Sequence, residues 1–93
     1  MIKEWFEKHG DEYLKFHRVE NKLSCRHDLH AFILLDKLVP GDSDIVSCAE
    51  HDQIWLDVTP QELEGVATEE QVIELIRCGV RCESGYESLS MFT

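Results

Sequence analysis

Ninety-three residues make one domain, 1–93, because a second core would leave too little apolar surface on either side. With 43% apolar and 30% charged residues and a net charge of −10, the chain reads as globular, and its charge opposes phosphate backbones and anionic lipid. The longest apolar run, Ala31 to Leu35, falls far short of the roughly 18 residues a membrane helix needs, so neither membrane nor direct nucleic-acid contact is expected.

The amino end, MIKEWFEKHG, is charged and amphipathic and unlike a signal peptide, which sets a cytoplasmic expectation. In that reducing setting Cys25, Cys48, Cys78 and Cys82 are expected as free thiols. A core of this size leaves little stability in reserve, so a homodimer is one expected state.

Along residues 2 to 23, apolar positions recur at helical spacing: Ile2, Trp5, Phe6, His9, Tyr13, Phe16, Val19 and Leu23. The spacing predicts helix with a break near Gly10, although YLKFHRV also fits a short strand. Ser24 is placed to cap a helix from about 26 to 38, whose broad apolar surface suggests the central core helix. Pro40, Gly41 and Asp42 end it.

The period then changes. DIVSCAEHDQIWLDV reads as a hairpin at about 44–58, with Glu50, His51 and Asp52 at the turn. Ile54, Leu56 and Val58 share one face; Gln53, Trp55 and Asp57 share the other. The first strand alternates less cleanly. Thr59, Pro60 and Glu62 spell a capping box, as do Thr68 and Gln71; Gly65-Val66 and Gly79-Val80 are the matching stops. Ser88 to Phe92 is expected as a third strand beside the hairpin. The fold class is therefore α+β: a small antiparallel sheet (hairpin about 44–58 plus C-terminal strand about 88–92) packed on three to four helices.

Charge divides the chain. Residues 1–40 hold seven acids and seven bases, whereas residues 41–93 hold twelve acids and only Arg77 and Arg81. The plain reading is a solvated face that keeps the protein soluble. The sharper reading is a docking surface for a basic protein groove, imitating nucleic acid, with Glu50, Asp52, Trp55 and Asp57 as its partner-binding residues. Trp55 is either an exposed anchor or covered by a helix or a second subunit. A helix-turn-helix reading of 59–78 fails on Glu69, Glu70 and Glu74, which oppose phosphate.

Cys25, His27, His30, Cys48 and His51 offer thiol and imidazole ligands, but lack a CxxC pair and must meet across the fold. Cys78 and Cys82 are separated by a helix stop and lack redox-pair spacing. No catalytic motif occurs, so no catalytic residue, metal site or cofactor is assigned.

HDLHAFILLDKL, AEHDQIWLDV, ATEEQVIELIRCGVR and ESLSMF together resemble small uncharacterised proteins of tailed bacteriophages over residues 28–92. The resemblance implies the cytoplasm of an infected bacterium and a host protein as partner; it transfers no site. The leading expectation is a non-enzymatic accessory or regulatory interaction module that docks a basic host protein. The alternatives are a Cys/His metal-binding protein and a small enzyme.

Overall fold

Two of the four helices begin where their sequence provides a local hydrogen bond. The computed structural model describes residues 1–93, with α1 at Ile2–Lys8, α2 at His27–Leu38, α3 at Pro60–Leu63 and α4 at Glu69–Arg77. Both capping boxes form: Thr59 accepts from the Glu62 N–H and Thr68 from the Gln71 N–H, each side chain being returned to the cap N–H. Gly79, at φ 94, closes α4 by donating its N–H to the Ile76 carbonyl. The start of α2 differs from expectation: Arg26 is its cap residue, and Ser24 instead accepts from the Arg26 N–H at 3.1 Å.

Four strands, β1 (Val46–Glu50), β2 (Gln53–Leu56), β3 (Val80–Arg81) and β4 (Ser90–Phe92), form one antiparallel sheet in the order β1-β2-β4-β3. The expected hairpin and C-terminal strand are thus present. β4 lies inside the sheet, with Ile54 opposite Met91 and Met91 opposite Val80. β3 is the strand that periodicity missed; two residues are too few to show alternation.

Residues 11–23 form neither a second helix nor a strand. They make two 3₁₀ turns, Gly10–Glu12 and Phe16–Arg18, and pass through left-handed backbone at Leu14 (φ 60) and Asn21 (φ 52). Long-range bonds hold this path: the Leu14 N–H donates to the Ile76 carbonyl, and Arg77 reaches Glu12 and the Arg18 carbonyl. Tyr13 and Phe16 still pack on the core, and Val19 is buried, so their spacing marked burial rather than a helix.

One cluster of sixteen buried apolar residues runs from Ile2 to Met91. Its packing centre is α4, which meets α1, both 3₁₀ turns, α2 and β3; α2 supplies Ala31, Leu34 and Leu35 from one side. α2 was expected at the centre, but α4 buries Val72, Leu75 and Ile76 along one face and uses its polar groups to bind neighbours. No helix is long and apolar enough to cross a membrane.

Candidate functional site

The β1–β2 hairpin collects the residues that the charge pattern singled out. Glu50 ends β1, Asp52 lies in the turn and Asp57 follows β2; all three are exposed. His51 turns the chain at φ 51, a left-handed conformation that His tolerates better than most residues. The turn is tied to the sheet by the Thr93 N–H, which donates to the Asp52 carbonyl at 2.7 Å. At the other end, Asp42 and Asp44 lead into β1, the Asp57 N–H donates to the Ile45 carbonyl, and the Ser43 hydroxyl donates to the Asp57 carboxylate.

None of Asp42, Asp44, Glu50, Asp52 or Asp57 has a cationic partner. Elsewhere, Glu12 takes Arg18 and Arg77, Glu69 takes Lys8 and His9, and Glu83 takes Arg81, whereas Glu7, Asp11, Glu20, Asp28, Asp36, Glu62, Glu70 and Glu87 are also unpaired but scattered along the chain. Pairing with Arg77 and then Arg18 holds the Glu12 carboxyl below its ordinary range, and pairing with His9 and then Lys8 does the same to Glu69. Asp42 and Asp44 were outside the expected partner-binding set; their signal was the absence of any Lys or Arg between Lys37 and Arg77.

Trp55 is half-buried. It lies on the face opposite the buried Leu56, where the segment between β3 and β4 folds over it. Tyr86 meets its ring at 5.8 Å between centroids, and the indole Nε1 is enclosed without an acceptor. On the same face, Gln53 donates to Glu83 at 2.9 Å and to the buried Ser90 at 3.2 Å. Within the chain, this cover comes from the loop between β3 and β4 rather than from a helix.

The thiols and imidazoles considered as metal ligands are dispersed. His27 donates from Nδ1 to the Cys78 carbonyl at 2.8 Å, and both ring nitrogens of the buried His30 are engaged, with Leu23 and Glu74. Cys48 and His51 lie on the hairpin. No three His, Cys, Asp or Glu side chains converge on a point that suits an ion.

A cleft of about 700 Å³ opens beside α1, the end of α4 and β3, lined in part by Phe6, Tyr13, Arg81, Cys82 and Phe92. Its charges are partly satisfied internally: Arg81 pairs with Glu83 at 3.2 Å and lies 4.5 Å over the Phe92 ring. Burial pushes the Cys82 thiol up, which disfavours the thiolate needed by a nucleophile.

Fold and site together define a small α+β domain with an acid-rich, exposed hairpin. No family model, curated protein or solved structure matches the chain.

Proposed function

We propose that this protein is an interaction module whose β1–β2 hairpin docks a basic surface of another protein. One observation carries the reading: Asp42, Asp44, Glu50, Asp52 and Asp57 stand on one hairpin and its entry without a single ion pair. Unneutralised carboxylates on an exposed element deepen the local negative potential and steer a cationic partner. A host protein in an infected bacterium is the partner that the phage-like stretches favour.

The test is affinity capture at low salt followed by association kinetics with the captured protein. Glu50→Lys with Asp52→Lys is the suitable variant, because neither side chain holds another residue. Asp57 anchors Ser43 and Trp55 packs on Tyr86, so changes there disturb the fold as well. The expected result is slower association and a weaker salt dependence, with dissociation little changed. Unchanged rates and salt dependence would leave the acidic half as a solvated face.

A further inference from the structure

β1 leaves one side of its backbone without a partner. It is the terminal strand of the order β1-β2-β4-β3, and it pairs with β2 alone. Ser47, Cys48, Ala49 and Glu50 are all exposed, so neither a helix nor a loop covers this edge. Alternate residues of such a strand direct N–H and C=O groups outward, ready to pair with another chain.

Proteins usually blunt an open edge with Lys, Pro, a bulge or extreme shortness. The opposite edge uses the last device, since β3 has two residues. β1 has no Lys or Pro. Its irregularity lies at the start, between Val46 and Cys48, and leaves Cys48–Glu50 in register with Trp55, Ile54 and Gln53.

Charge selects the occupant. Asp44 and Asp57 mark one end of the strand, and Glu50 and Asp52 mark the other. A second copy pairing its own β1 here sets acid against acid at both ends, and like charges across a strand pair are destabilising. A partner strand with Lys or Arg at both ends meets a carboxylate at each. The span from Asp44 to Glu50 corresponds to roughly 20 Å of extended chain.

We propose that the β1 edge takes an extended segment of a partner protein by strand addition, the segment having basic residues at both ends of an uncharged, β-forming stretch. The inference rests on the acidic-hairpin reading and adds the conformation of the bound segment and the backbone as its principal contact.

The probes are two synthetic peptides of roughly ten residues, with paired lysines flanking a Val-Thr repeat, one of them N-methylated at its central amides. Both have the same charge, and only the first can complete a ladder. Each is titrated into the unaltered protein at low salt, with hydrogen exchange followed at individual amides. Strand addition requires slowed exchange at the outward-facing amides among Ser47–Glu50 and at least about tenfold tighter binding of the unmethylated peptide. Equal binding of both peptides, with shifts at Glu50 and Asp52, overturns strand addition and leaves acidic docking standing. Binding of neither overturns both. Self-association of the protein alone, with the same amides protected, also overturns the proposal, because the occupant is then a second copy.

Discussion

His30 of α2 hydrogen-bonds Glu74 of α4 from a fully buried position, as the neutral Nε2–H tautomer. The tautomer follows from its other nitrogen: Nδ1 accepts from the Leu23 N–H at 3.0 Å. One ring therefore ties the irregular segment before α2 to the central helix. His30→Ala leaves a cavity and two unmet groups, and is expected to cost about 2–4 kcal/mol in urea unfolding. Glu74→Gln retains an acceptor and is expected to cost about 1 kcal/mol.

Gly79 and Leu14 form a second long-range contact, at a backbone angle that favours glycine. Gly79 has φ 94, and a Cβ there would lie 2.8 Å from Leu14 Cδ2. Gly79→Ala is expected to destabilise the protein by about 1–3 kcal/mol, from backbone strain and crowding together. In a Leu14→Ala background the crowding is relieved and the strain remains. A double-mutant cycle by thermal denaturation should therefore show a smaller cost for the second change.

Acid should unfold the protein partly through Glu12. Its carboxyl is held below the ordinary value of 4.5 by Arg77 at 2.8 Å and Arg18 at 2.9 Å. A lowered native value means stability that is complete above 4.5 and lost as pH falls through the native value. Glu69, held down by His9 and Lys8, acts in the same direction. Glu12→Gln is expected to flatten the acid limb of a stability–pH curve measured by chemical denaturation.

Alkali acts through Cys78, whose thiol is pushed up from 9.0 to about 12 by burial and then by the Glu74 charge. A raised native value means that the contribution is intact below 9.0 and lost as pH rises toward 12, because the unfolded chain ionises first. The folding equilibrium constant should fall roughly tenfold per pH unit across that window from this thiol alone. Cys78→Ala keeps the carbonyl that His27 binds and is expected to remove that slope.

What the sequence determined by itself was whatever closes within a few residues. Thr59 with Glu62 and Thr68 with Gln71 are three apart, so both capping boxes were legible, as were the glycine stops and the β1–β2 hairpin. The acidic run was legible too, and so was the weak alternation of β1, the mark of a strand without a buried face. Only the tertiary structure decided the path of residues 11–23, the two-residue β3, the central role of α4 and the cover over Trp55. These depend on partners far along the chain: His30 and Glu74 are 44 residues apart, and Glu12 and Arg77 are 65 apart. Local periodicity records that a side chain is buried, whereas the partner that buries it, and hence the backbone path that reaches it, is set when distant elements pack together.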